Sequence, residues 1–220
     1  MEKGSREYYL GLEFFGRITA SISHELNNVL TIINELNGVL EDTVCMADPG
    51  KGIDPGKIGS VQQRISKQLK RGNSIIKKLN RFSHTIDHPV TDFDLNGLML
   101  NFTEIYRRLS DLKKINVEYK LSAAAINIES DPFLVQHLVF RGINEMIEGM
   151  DANTTINITA IEAESNAEIE LKSESYNDKF PEDTSGELKS LAAGADIDIE
   201  IGSQGAECMI KIMIPKKINN

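Results

Sequence analysis

Apolar residues recur early in the chain as Phe15, Ile18, Ile22, Leu26, Val29, Ile33, Leu36 and Leu40, at spacings of 3, 4, 4, 3, 4, 3 and 4. That rhythm is a single apolar stripe on a helix and predicts one over about Glu7–Val44. The turn formers Asp48-Pro49-Gly50-Lys51-Gly52-Ile53-Asp54-Pro55-Gly56 close it. A second stripe follows, made of Ile58, Val61, Ile65, Leu69, Gly72, Ile76 and Leu79 at spacings of 3, 4, 4, 3, 4 and 3. Two long helices joined by a short Pro/Gly loop fold back as an antiparallel hairpin. A hairpin cannot bury both stripes by itself. The economical solution is a homodimer that forms a four-helix bundle, and packing against the rest of the same chain is the alternative.

Proline disfavours helix in the residue before it, so His88-Pro89-Val90 ends the second helix and divides the chain into residues 1–88 and 89–220. Beyond it the texture changes. Asp94-Leu95-Asn96 opens a helix to about Leu112, with Leu98, Phe102, Ile105 and Leu109 on one side. Ile115, Val117, Tyr119 and Leu121 alternate as a strand does, and Ala125-Ile126-Asn127-Ile128 reads as another short one. A helix from about Pro132 to Gly149 follows, with Asp131 as its N-cap. Alternation returns at Ile156 and Ile158, Ile169 and Leu171, Ile197-Ile199-Ile201, and Cys208-Ile210-Ile212-Ile214. A weak helix from Ser185 to Ala193, stopped at Gly194, interrupts these strands. Strands backed by a few helices on one face make an α/β sandwich.

Composition narrows the possibilities. At 220 residues, 40% apolar and 26% charged, the chain has the make-up of a globular protein of one large or two small domains. No run approaches the roughly 18–20 apolar residues that span a bilayer. Met1-Glu2-Lys3-Gly4-Ser5-Arg6-Glu7 lacks the apolar core of a signal peptide, so the cytoplasm is the expected location. Cys45 and Cys208 are too few and too far apart for a disulfide framework or a metal site. The net charge of −9 is unevenly shared: Lys51 to Phe82 carries nine Lys or Arg against one acid, and Asp151 to Ile210 carries fourteen acids against three lysines. A basic first half and an acidic second half suit two kinds of partner, and neither nucleic acid nor a membrane surface is expected for the whole chain.

One residue of the first helix is placed for chemistry rather than packing. At about 100° per residue the stripe centres near Ile22, and His24 lies roughly 160° from that centre. Asn28 and Thr31 share its side, so His24 is on the wet face.

The order of parts, a hairpin carrying Ser23-His24-Glu25-Leu26-Asn27-Asn28-x-Leu30 followed by an α/β sandwich, resembles the body of a sensor histidine kinase. The resemblance implies an α+β chain. Its hairpin would be the dimerisation and histidine-phosphotransfer domain, and residues 89–220 the ATP-binding-type domain. Ile128-Glu129-Ser130-Asp131-Pro132 also matches the approach to the family's nucleotide-binding helix. In that helix the match fails. Glu145 stands where the family has its Mg²⁺-binding asparagine, Arg141 replaces a second customary asparagine, and Asn144 is displaced by about 100° around the axis. The family's Asp-x-Gly-x-Gly has no counterpart after Ile169-Glu170-Leu171, and the glycine-rich lid is absent around Ser185-Gly186-Glu187-Leu188. A segment so acidic has little to offset the roughly four negative charges of ATP. The sandwich therefore reads as a kinase fold without its nucleotide, similar to the histidine phosphotransferases built on degenerate kinase bodies.

By that resemblance His24 is the phosphoacceptor. An ordinary imidazole titrates near about 6.5 and supplies a neutral nucleophile at cell pH. Glu25 is the candidate to accept from Nδ1–H and leave Nε2 free to attack; the alternative is a surface acid paired with a lysine of the second helix. Asn28 matches the position whose amide can orient a water for receiver dephosphorylation, or is a plain surface amide. Lys67, Lys70, Arg71, Lys77 and Lys78 on the second helix are candidates for docking an acidic receiver. Arg17, one heptad before His24, is either a phosphoryl-steadying group or a surface arginine, and His84, His88 and His137 read as structural. Response-regulator receiver domains are the implied partners. No cofactor is expected on this chain, with Mg²⁺ brought by the receiver. The expected function is phosphate relay through His24 without ATP. The alternatives are a non-catalytic module that binds or inhibits a partner kinase, and a true kinase with an atypical ATP site.

Overall fold

The computed structural model describes residues 3–47, 52–120, 122, 124–176 and 182–216, with the backbone alone for 3–5 and 182–185. The turn at Asp48–Lys51 and the strand residue Leu121, both read from sequence, lie outside the described residues. In order, the elements are α1 (Lys3–Cys45), α2 (Pro55–Ser83), a 3-10 turn (His84–Ile86), β1 (Thr91–Asp94), α3 (Leu95–Leu112), β2 (Asn116–Lys120), β3 (Asn127–Ser130), α4 (Pro132–Glu148), β4 (Thr155–Glu162), β5 (Asn166–Ser173), α5 (Glu182–Ala192), β6 (Asp198–Gln204) and β7 (Glu207–Pro215). They pack as two units, residues 19–80 in one, and residues up to 18 together with 81–220 in the other. The sequence division at 88/89 follows the order of elements. Packing instead assigns the first turns of α1 and the last residues of α2 to the larger unit.

The smaller unit is the helical hairpin. Gly56 N donates to Asp54 Oδ1 at 2.8 Å, and Pro55 fills the first helical position, so α2 starts where cap chemistry favours it. Ile22, Val29 and Leu36 of α1 and Val61 and Ile75 of α2 are buried in this unit. A Cβ on Gly72 would sit 3.4 Å from Val29 Cγ1, about van der Waals contact, so the two helices pass side by side at this point. The second stripe is wider than the face it buries, since Leu69 and Ile76 remain 53% and 44% exposed, and on α1 Leu30, beside the stripe, is 57% exposed.

The larger unit is an α/β sandwich. Its five-stranded sheet has the order β2-β4-β5-β7-β6, with β2 parallel to β4 and the other neighbours antiparallel. Alternation puts Ile156, Ile158, Ile169, Leu171, Ile210, Ile212 and Ile214 on one buried face. A Cβ on Gly142 of α4 would fall 2.7 Å from Leu171 Cδ1, so glycine lets α4 lie close against that face. The strand read at Ala125–Ile128 does not join this sheet. As β3 it pairs antiparallel with β1, whose four residues Thr91–Asp94 carry too short a pattern to be read from sequence. Asp94 caps α3 by accepting from Asn96 N and Gly97 N, and it also accepts from Ile126 N at 3.1 Å, joining β1, α3 and the approach to β3. Asp131 caps α4 as expected, with Oδ1 accepting from Phe133 N at 2.9 Å and Leu134 N at 3.0 Å.

The aromatic core of this unit gathers around Phe14. Its ring lies 5.4 Å from Phe82, 4.8 Å from Phe140 and 5.1 Å from His137, stacked flat on the last. The stripe read from sequence ran through Phe15, which is only half-buried; the rotation of α1 is set by the rings that Phe14 meets.

Candidate functional site

On the hairpin, His24 is exposed, with no hydrogen bond or ion pair to its imidazole among the described residues. Asn28 and Thr31 are exposed on the same side, one and two turns on, because residues four apart stack along a helix. Glu25 is half-buried and turned toward α2, where Arg71 Nη2 stands 3.8 Å from its Oε1. Arg71 directly precedes Gly72, which faces Val29, so the same stretch of the helix pair carries the guanidinium and the carboxylate. One residue read as a docking cation is thus the partner of the residue beside His24. Lys67, Lys70 and Lys77 are exposed along α2, and Lys78 is half-buried. The seven-residue spacing aligns Lys70 with Lys77 and Arg71 with Lys78 as two rows. Arg17 is committed elsewhere: its guanidinium lies 5.1 Å over the Phe140 ring, and Glu13 is 3.7 Å away.

In the sandwich, the two positions that depart from the kinase pattern form an ion-pair cluster. Arg141 Nη2 lies 3.4 Å from Glu145 Oε1 one turn along α4, and it also pairs with Glu187 of α5. Arg6 pairs with the other oxygen of Glu187. All three inner side chains are mostly shielded from solvent. A guanidinium between two carboxylates is well satisfied, and opening it would leave charges poorly paired in a half-buried place. Asn144 is also committed: it donates to Phe140 O at 2.7 Å and accepts from Tyr106 OH at 3.2 Å. Burial pushes the Tyr106 hydroxyl well above the ordinary phenol range, so it serves as a donor. No group of three or more His, Cys, Asp and Glu among the described residues is arranged to hold a metal. The long-range contacts to Glu187 and Arg6 have no local signal in the sequence, since 46 residues separate Arg141 from Glu187.

The other histidines differ. His84 Nδ1 is 2.7 Å from Asp87 Oδ2 on the surface, and His88 is exposed. His137 is buried against Phe14. Desolvation first, and the Arg141 charge second, push its imidazole down to about 4. No helix among the described residues is long and apolar enough to cross a membrane.

Long N-terminal helices followed by an α/β sandwich make this an α+β chain with the fold of histidine-kinase catalytic domains. The Acinetobacter baumannii histidine kinase AdeS aligns with 90% of this chain and 98% of its own, at 16% identity and a TM-score of 0.51. The nucleotide-free catalytic domain of histidine kinase ThkA aligns with 59% of this chain and 97% of its own, at 14% identity and a TM-score of 0.51. No protein-family model matches the chain, and no curated sequence does.

Proposed function

We propose that this chain is a dimeric histidine phosphotransfer protein of two-component signalling, carrying a phosphoryl group on His24 between receiver-domain aspartates without using ATP. The observation that carries the proposal is the pairing of two features. A solvent-exposed His24 lies in a His-Glu-Leu-Asn-Asn run on a hairpin, and Arg141 is locked between Glu145 and Glu187 where a nucleotide-binding helix would need neutral amides.

The chemistry follows from the side chains. The lone pair of neutral His24 Nε2 attacks the phosphorus of an aspartyl phosphate. The P–N bond forms as the P–O bond to the aspartate breaks, and the receiver keeps a free carboxylate. Positive charge that develops on the ring is stabilised from Nδ1–H by Glu25, or by water when Glu25 stays on Arg71. The same steps in reverse pass the group to a second receiver. The divalent cation that neutralises the phosphoryl oxygens belongs to the receiver. Lys67, Lys70, Lys77 and Lys78, with Arg71, attract that acidic partner mainly by raising the association rate. The exposed Leu30, Leu69 and Ile76 support the dimer, because a second hairpin of the same sequence offers the matching apolar flank.

The test is incubation with a panel of radiolabelled phosphorylated receiver domains, followed by addition of an unlabelled receiver. Label is expected on the native chain, absent from His24→Ala, and then chased to the second receiver. Label on neither form would reject the relay and favour a non-catalytic partner of another kinase.

A further inference from the structure

Phosphotransfer makes no use of the acidic excess from Asp151 to Ile210, and that excess reaches a free sheet edge. In the larger unit β6 hydrogen-bonds to β7 on one side and, among the described residues, to no strand on the other. Alternate residues of such an edge turn N–H and C=O outward as a row of unused backbone groups. The register runs unbroken from Asp198 opposite Met213 to Gln204 opposite Glu207, so no bulge twists the edge away. The strand carries no lysine or proline to block pairing, and none of its backbone groups bonds outside the ladder among the described residues.

Charge decides what the edge accepts. Alternation turns Asp198 and Glu200 to the open face of the sheet, both exposed, while Ile199 is buried on the opposite face. Glu200 lies across the ladder from Lys211, whose Nζ is already 3.2 Å from Glu168, and Asp198 lies across from Met213. A cleft of about 600 Å³ beside the start of the strand, floored by Ala193, Ile197 and Met213, has room for the side chains of an added strand. A second copy of β6 fits poorly. Antiparallel pairing of the charged halves sets Asp198 against Glu200, or Glu200 against its own copy, and like charges placed opposite are destabilising. A strand of opposite charge meets no such penalty.

We propose that the free edge of β6 docks an extended basic segment of a partner protein. The segment adds to the sheet with Lys or Arg at alternate positions beside Asp198 and Glu200, and with apolar residues between them on the side of Ile199. Main-chain hydrogen bonds supply affinity and the alternating side chains supply selectivity. The surface is separate from His24 and does not depend on the phosphotransfer proposal.

Fluorescence anisotropy of the full chain with three labelled peptides of one length tests this. The first alternates Lys and Val. The second is the same peptide N-methylated at two successive central residues, so that one lost N–H faces β6 in either register. The third alternates Glu and Val. Saturable binding of one Lys/Val peptide per chain is expected, about 3- to 10-fold tighter than its N-methylated form, as one net hydrogen bond provides. The Glu/Val peptide should not saturate. Asp198→Lys with Glu200→Lys, at exposed positions that folding tolerates, should weaken the Lys/Val peptide about tenfold. Hydrogen exchange should slow at alternate β6 amides when that peptide binds, which a purely ionic contact would not cause. Absence of saturable binding, equal affinity for the N-methylated form, affinity unchanged by the charge reversal, or slowed exchange centred away from β6 would each overturn the proposal. So would slowing at β6 that grows with protein concentration without peptide, since a second copy would then cover the edge.

Discussion

Glu25 Oε1 lies 3.8 Å from Arg71 Nη2, so the carboxylate beside His24 is joined to the opposite helix of the hairpin. Both side chains are substantially exposed, and such a pair contributes less than about 1 kcal/mol to stability. The docking role proposed for Arg71 concerns rate instead. Arg71→Gln should leave the unfolding midpoint of the hairpin nearly unchanged. Reversing Lys70 and Arg71 together to Glu should slow phosphoryl transfer from a receiver about tenfold at low salt, with the difference shrinking as ionic strength rises. Stopped-flow transfer at two salt concentrations checks this. Equal rates at low salt would remove the docking role.

The apolar flank left open by the hairpin leads to a second expectation. Leu69→Glu with Ile76→Glu should convert a dimer into monomers at micromolar concentration, because a charged row would then face its own copy across the seam. Analytical ultracentrifugation reads the change directly. Exposed single positions tolerate charge, so the helical content seen by circular dichroism should fall only as far as dimerisation supports it.

Acid should weaken the larger unit through His137. In the unfolded chain this imidazole takes a proton near its ordinary value of 6.5, whereas burial holds it down to about 4 in the folded state. The unfolded state therefore binds the proton first. The contribution of neutral His137 is complete above pH 6.5, falls as pH drops toward 4, and is constant below that. At about 1.4 kcal/mol per pH unit the loss is on the order of 3 kcal/mol. Urea unfolding between pH 7 and 4 measures it, and His137→Phe should flatten that part of the profile.

Gly149 ends α4 against the buried Tyr176 ring. A Cβ there would come within 2.4 Å of Cε2 and 2.5 Å of Cζ. The ring is fully packed and cannot swing aside without moving its neighbours, so Gly149→Ala should destabilise the larger unit by about 1–3 kcal/mol. Thermal denaturation of the variant checks it; an unchanged midpoint would mean that the ring relocates at no cost.

Elements governed by local rules were readable from the chain. The stripes of α1 and α2, the Asp131 cap and the alternating strands β4, β5 and β7 each depend on residues a few positions apart. Features decided by distant partners were not readable. Phe14 rather than Phe15 turns inward because Phe82, Phe133 and Phe140 arrive from other elements. β1 exists only because β3 pairs with it. At the candidate site, the exposure of His24 followed from helical angle alone. The partner of Glu25 did not, since Arg71, Lys70 and Lys67 are equivalent until the register of α2 against α1 is known. Glu145 and Arg141 stood out as departures from a pattern. Only the fold reveals that they share a cluster with Glu187.

The most direct measurement is to map the phosphorylated residue after incubation with phosphorylated receivers, in parallel with Mg²⁺ and [γ-³²P]ATP alone. One acid-labile, base-stable phosphoramidate per chain is expected, at His24, from the receivers and none from ATP. Phosphate on His24 from ATP without a receiver, or no phosphohistidine from any receiver, would contradict it.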